Sequence, residues 1–240
     1  MINARTLFVA SLFFVAVSST LFSQTKILVV TGGKEFERDS FYKIFESFSD
    51  IVYDTATKPA VFNDFNSDKI NYYDAVVFYD AYQPINEDEK KSFLSLTEKG
   101  IGLVFLHHAL VSHQDWDEYE KILGGRYHHK AYSDEGKKYG QSTYKHDQEF
   151  FINIVDKENP VTKDMTGFHI TDEAYLNYNV HDYVSPLLTS DNCENGKYLG
   201  WTNSYKNSKI VYLQLGHDHQ AYENTDYRML IRNAIDWVKE

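Results

Sequence analysis

Short apolar runs of strand length recur along the chain, each closed by polar or glycine residues. Lys26-Ile27-Leu28-Val29-Val30-Thr31 is the first, and Gly32-Gly33 ends it. Unbroken β-branched runs of this kind predict strands buried on both faces, hence parallel strands. Ile51 to Thr57, Asp74 to Asp80 and Gly102 to Leu106 read the same way. Between them the period changes. Phe41, Ile44, Phe45 and Phe48 recur at three and four and mark one helix face. Asn86 with Glu89 three residues later is a capping box, opening a helix that carries Phe93, Leu94 and Leu96 and stops at Gly100. Strand and helix alternate, which predicts a doubly wound, mostly parallel sheet.

The middle of the chain, from Trp116 to Val184, is less regular. Tyr119 to Leu123 reads as a short helix ending at Gly124-Gly125, and Phe150 to Val155 and Phe168 to Thr171 as strands. The polar stretch from Ser133 to Gln148 is a lid or a spacer. Regularity returns with Tyr198 to Thr202 and Ile210 to Leu215, paired around a turn at Lys206-Asn207-Ser208. Asn224 or Thr225 caps a last helix whose buried side holds Leu230, Ile231, Ala234, Ile235 and Val238. No repeat or low-complexity linker interrupts the chain, so one domain is expected over residues 24–240.

The first 23 residues read as an address. Arg5 precedes the apolar run Leu7 to Val17, and small and polar residues follow up to Ser23. This is the order of a secretory signal, and the run is short for a transmembrane span. The expectation is an exported protein, periplasmic or secreted, with no stable membrane span after cleavage.

Composition narrows the function classes. Of 240 residues, 35 are acidic and 24 basic, a net charge of −11. A nucleic-acid partner is not expected, because phosphate binding needs a basic stripe. The single cysteine, Cys193, excludes an internal disulfide framework and Cys-based metal sites. Ten histidines and 16% aromatic residues stand out. No G-x-G-x-x-G, P-loop or G-x-S-x-G is present, so dinucleotide, nucleotide and ordinary serine hydrolase chemistry find no support.

In an open parallel sheet, ligands bind beyond the carboxyl ends of the strands. Polar residues gather at these ends: Gly32 and Gly33, Tyr79 with Asp80 and Gln83, His107 and His108, and Gly216-His217-Asp218-His219. Neutral imidazole serves as acid, base or metal ligand near neutral pH. His113, His128 and His129 also flank predicted ends. Three histidines near a carboxylate would make a catalytic zinc site, but no H-E-x-x-H is present, and a metal-free role is preferred. Asp172-Glu173, placed after the strand ending at Thr171, supplies carboxylates. Trp116, Trp201, Tyr79, Tyr82, Tyr127 and Tyr175 are candidates for an aromatic wall.

Taken together, Val29 to Gly33, Tyr73 to Tyr79, Gly102 to Ala109, Leu123 to Arg126, Thr171 to Tyr175 and Leu215 to Asp218 resemble the ThuA-like (trehalose utilisation) family of the class I glutamine amidotransferase-like superfamily. The resemblance implies an α/β, flavodoxin-like three-layer sandwich. It also implies a role in disaccharide breakdown through keto-sugar intermediates. The parent superfamily places a cysteine nucleophile after the strand matching Gly102 to Leu106, where this chain has His107. The Glu of the parent's His-x-Glu falls on His219. Many members carry His where this chain has Lys34. Glutaminase chemistry is therefore not expected.

The reading that follows is an enzyme acting on a small-molecule carbohydrate. His107 and His217 are the acid/base candidates, and Glu173 is a second base. Gly32, Gly33, Tyr79, Gln83, His108, His129, Asp172, Tyr175, Asp218 and His219 are the substrate contacts. No cofactor is assigned, and zinc on the same histidines is the alternative. A non-catalytic sugar-binding module is the other rival. The sequence shows no oligomerisation surface.

Overall fold

The computed structural model describes residues 24–134 and 136–240, so the leader expected over residues 1–23 lies outside the described residues. The elements are β1 (Thr25–Gly32), α1 (Arg38–Glu46), β2 (Ile51–Thr57), α2 (Phe62–Phe65), β3 (Ala75–Asp80), α3 (Glu87–Lys99), β4 (Gly102–Leu106) and α4 (Asp117–Leu123). Next come the short β5 (Gly125–Arg126), β6 (Tyr132–Asp134) and β7 (Lys137–Tyr139). Then follow β8 (Thr143–Ile154), β9 (Phe168–Leu176), β10 (Asn179–Val180), β11 (Ser185–Ser190), β12 (Gly200–Tyr205), β13 (Ser208–Leu213), α5 (His219–Tyr222) and α6 (Thr225–Val238).

Nine strands form one sheet in the order β2-β1-β3-β4-β13-β12-β11-β8-β9. The β2-β1-β3-β4-β13 half is parallel, and the rest is antiparallel. The mostly parallel expectation holds for the half that carries the predicted strand ends. The antiparallel half is built from the irregular middle and the final hairpin.

The alternating faces of β1 explain the layers. Ile27 and Val29 pack with Phe41, Ile44 and Phe45 of α1 and Leu230, Ile231 and Ile235 of α6. Leu28 and Val30 face the other way, into a cluster with Phe93 and Leu96 of α3 and Ile122 and Leu123 of α4. Apolar cover on both faces makes the three-layer sandwich. The capping box at Asn86 and the left-handed Gly100 end α3 as the sequence predicts, and Asn224 caps α6. Trp116 and Trp201 lie within the second cluster, and Trp201 Nε1 donates to Leu123 O at 2.7 Å. They are core, not a ligand wall, because helix α4 closes over them.

The middle of the chain departs most from expectation. Tyr132–Asp134 and Lys137–Tyr139 form a hairpin. Residues 143–148 belong to β8, so part of the stretch read as lid or spacer is strand. β9 runs through Asp172 and Glu173 rather than ending before them. A register shift between Lys145 and Gln148 bulges β8 opposite Asp172 to Ala174. A bulge bends its strand, and here the bend lies where the β8–β9 arm crosses the carboxyl ends of β4 and β13.

Beneath the ends of β2 and β3 lies a buried charged group. Lys58 Nζ pairs with Asp80 Oδ2, both side chains about 1% exposed, and donates to His113 Nε2 at 3.0 Å. Ser112 Oγ donates to Asp80 Oδ2 at 2.5 Å. The strand-end Asp80 is thus spent on holding the chain together.

Candidate active site

Strand β4 passes directly into a 3-10 turn over residues 107–111, and His107 takes the left-handed conformation at φ 42°. That conformation is uncommon for a residue with a side chain. It turns the imidazole back over the sheet, where it is fully buried. Nδ1 lies 2.5 Å from Gln214 O. A carbonyl only accepts, so Nδ1 carries the proton. Nε2 faces Glu173 Oε2 at 3.0 Å, His217 Nδ1 at 3.2 Å and Tyr175 Oη at 3.1 Å. The ring stacks on Tyr175 with centroids 4.8 Å apart.

The loop after β13 supplies His217. Its backbone is pinned from four sides. Asp172 Oδ2 accepts from Gly216 N at 2.7 Å, and Oδ1 from His217 N at 2.9 Å. Tyr227 Oη donates to Leu215 O, Tyr79 Oη to Gly216 O and Tyr222 Oη to His217 O, all at 2.9–3.0 Å. Gly216 has φ 111°, and a Cβ there would sit 2.1 Å from Tyr227 Oη, so glycine is required. Tyr79 and Asp172, expected as substrate contacts, are buried and committed to this loop; they position His217.

Glu173 arrives from β9. Its Oε2 meets both His107 and His217, the latter at 3.2 Å, and its Oε1 meets His146 Nδ1 at 3.0 Å. Burial pushes the Glu173 carboxyl up, but hydrogen bonds from His107 and His217 and their charges outweigh it and hold it below the usual range. Burial pulls His217 down, and the hydrogen bond and charge of Glu173 overcome that and raise it. Asp172 is raised, chiefly by burial. His108 lies beside the group, with ring centroids 4.3 Å from His107 and 5.4 Å from His217. Its Nε2 accepts from Lys34 Nζ at 2.8 Å. Burial and the neighbouring His107 and Lys34 charges keep it neutral, well below its ordinary value.

The structure therefore brings His107, His108, His217, Glu173, Asp172 and Tyr175 to one place. It leaves others outside. Gly32 and Gly33 let the end of β1 pass β3, since a Cβ on Gly33 would lie 2.6 Å from Ala81 O. Gln83 packs over Gly32. His129 is exposed beside Tyr82 and Tyr127. It lines a hollow of about 320 Å³ with Tyr127, Gln141, Ser142, Thr143 and Tyr144. Tyr127 touches Tyr175 at 5.2 Å, so the hollow adjoins the centre. Asp218 caps α5, and the exposed His219 pairs with Glu37. His146 was not visible as a site residue: only the β8–β9 pairing sets it against Glu173.

Among family descriptions, ThuA, trehalose utilisation, matches residues 26–238. The chain belongs to the ThuA family. Membership ties it to carbohydrate metabolism. A ThuA-like protein from Parabacteroides merdae superposes with a TM-score of 0.74 at 20% identity, covering 90% of each chain. A second from Bacteroides uniformis gives 0.67 at 20%, covering 93% of this ThuA chain and 95% of its own. A glutamine amidotransferase from Thermotoga maritima gives 0.50 at 13%, covering 90% and 99%. These likenesses show the shared α/β fold. No curated protein matches the chain.

Proposed function

We propose that this ThuA protein is an enzyme that converts a disaccharide or its keto derivative at the His107–Glu173–His217 centre. The observation that carries the reading is the buried Glu173 carboxylate with two histidines on one oxygen and a third on the other. Burying ionisable groups costs roughly several kcal/mol each unless they are paired. A module that only holds sugar gains nothing from that expense, whereas acid–base chemistry does.

The roles follow from exposure. His107 is fully buried and orients Glu173. His217, with 18% of its side chain exposed, and the half-exposed His146 face outward. They are the members that exchange a proton with a sugar. A carbonyl on the sugar acidifies the neighbouring C–H, so such a base can drive isomerisation or elimination without a covalent nucleophile. No helix among the described residues is long and apolar enough to cross a membrane. The leader pattern of residues 1–23 supports action outside the cytoplasm.

The test is turnover of disaccharides and their 3-keto derivatives in heavy water, followed by NMR. Conversion or deuterium uptake that is lost in Glu173→Gln supports the reading. Sugar binding with neither would replace it by a binding module.

A further inference from the structure

The polar atoms at the centre of the site form a nearly equilateral triangle. His107 Nε2 to Glu173 Oε2 is 3.0 Å, His107 Nε2 to His217 Nδ1 is 3.2 Å, and His217 Nδ1 to Glu173 Oε2 is 3.2 Å. With bonds of about 2.0–2.2 Å, two ligands of a tetrahedral zinc ion stand ~3.3–3.5 Å apart. The three atoms are thus within a few tenths of an ångström of one face of a coordination tetrahedron.

The protons point the same way. His107 Nδ1–H is committed to the Gln214 carbonyl at 2.5 Å. The other nitrogen, Nε2, is left facing a carboxylate oxygen, a second imidazole nitrogen and the Tyr175 hydroxyl. A cation at the centre of the triangle can meet both ring nitrogens and the carboxylate oxygen at once. A histidine whose second N–H is held by a backbone carbonyl is also the usual arrangement behind a metal ligand. His146 fixes the remaining oxygen of Glu173, and Asp172 fixes the backbone at His217.

We propose that this centre is a divalent-metal site. His107, His217 and Glu173 are its ligands, and zinc is the ion that fits. Two histidines and one carboxylate with a fourth position open is a catalytic donor set. His108 completes the group, all four donor atoms lying within 4.8 Å of one another. Its Nε2 is taken by Lys34, which leaves the fourth position to a substrate oxygen. The ion replaces the proton shared by His217 and Glu173, and proton transfer then falls to His146. The proposal rests on the reading that sugar reacts here, but metal binding can be measured without sugar.

The experiment uses full-length protein made without a histidine tag. Metal content is measured by mass spectrometry. Zinc and cobalt binding to the chelator-stripped protein follow by calorimetry and by the visible spectrum of cobalt. One ion per chain is expected in the wild type and in His169→Ala, an exposed histidine that packs on Phe151 and is not one of the clustered donors. His107→Ala, His217→Ala and the conservative Glu173→Gln should each weaken binding by more than the ~10–100-fold that loss of an outer-shell partner costs. Circular dichroism verifies that each variant is folded. Equal binding by wild type and folded Glu173→Gln and His217→Ala overturns the site. One bound ion with no sugar converted supports the site and removes the sugar-converting reading. Full conversion by metal-free protein overturns the site and leaves that reading standing.

Discussion

Replacing His113 by glutamine should make the protein far less sensitive to acid. His113 is buried among Phe62, Phe93, Trp116 and Tyr119, and its Nε2 accepts from the Lys58 ammonium at 3.0 Å. Burial, and then the Lys58 charge, push its pKa down to about 2. An unfolded histidine titrates near 6.5. Below that value the unfolded chain binds a proton that the folded chain refuses. Stability therefore falls as pH falls, from about 6.5 down toward about 2. One pKa unit is worth about 1.4 kcal/mol, so moving from about pH 6.5 to about pH 4.5 removes about 2.3 kcal/mol through this one side chain. Any folded pKa below ~3.5 gives the same loss over that interval. Glutamine can accept from Lys58 and does not titrate. Its packing cost is the same at both pH values and cancels. His108, also depressed, and His217, raised, contribute equally to both proteins and cancel too. Urea unfolding at the two pH values gives four free energies. The wild type should lose about 2.3 kcal/mol more than His113→Gln across the interval. Equal losses would show that His113 is protonated in the fold, and the account of the buried Lys58 group would fail with it.

Three further outcomes are expected. Asp80→Ala strips the carboxylate from a buried lysine and should cost about 3–5 kcal/mol by urea unfolding; a loss under ~1 kcal/mol would mean Lys58 finds solvent. Gly216→Ala should lower stability by at least ~1–3 kcal/mol and weaken metal binding. Adding Tyr227→Phe, which removes the hydroxyl 2.1 Å from the new methyl, should recover part of both; no recovery assigns the loss to the backbone at φ 111° and to Tyr227 Cζ, 2.8 Å away, and refutes the hydroxyl as its cause. His146→Gln should leave metal content intact and lower kcat ~10²-fold or more, with a changed pH–rate profile; an unchanged profile removes it from proton transfer.

Much of the parallel half was legible because its signals are local. The short β-branched runs around Val29-Val30 and Val76-Val77, each closed by polar or glycine residues, favour strand interior, and Asn86 with Glu89 announces a helix start within four residues. The strand-end rule then pointed to His107 and His217, which the fold does bring to within 3.2 Å of each other. The antiparallel half was less legible. The first residues of β8 are largely exposed and polar, so they carry no alternation to read. Glu173 could be seen as a carboxylate but not placed, since its position depends on pairing with a strand 25 or so residues upstream. His146 was invisible for the same reason. Long-range pairing, not residue chemistry, decides which of ten histidines meet.

The scaffold explains why Glu173 occupies this place and His219 does not. The resemblance expects a catalytic dyad along the loop after β13, with the carboxylate two residues beyond the histidine. Here that position is His219, which turns outward to Glu37. The carboxylate comes instead from β9, carried inward by the bulged arm. Meanwhile the elbow after β4 keeps the left-handed backbone of a nucleophile turn while holding an imidazole. Such a conformation costs of order 1–3 kcal/mol and persists only where the surroundings enforce it. In this protein the enforcement is visible: Gln214 O and Tyr212 Oη grip His107 from both ends, one on the ring and one on its carbonyl. A strained elbow that holds a buried imidazole points to a use for the strain. What it does here is hold Nε2 against Glu173 and His217, the arrangement on which the proposed metal site rests. If His107→Ala binds metal as the wild type does, the strain has no such purpose and this account of the elbow is wrong.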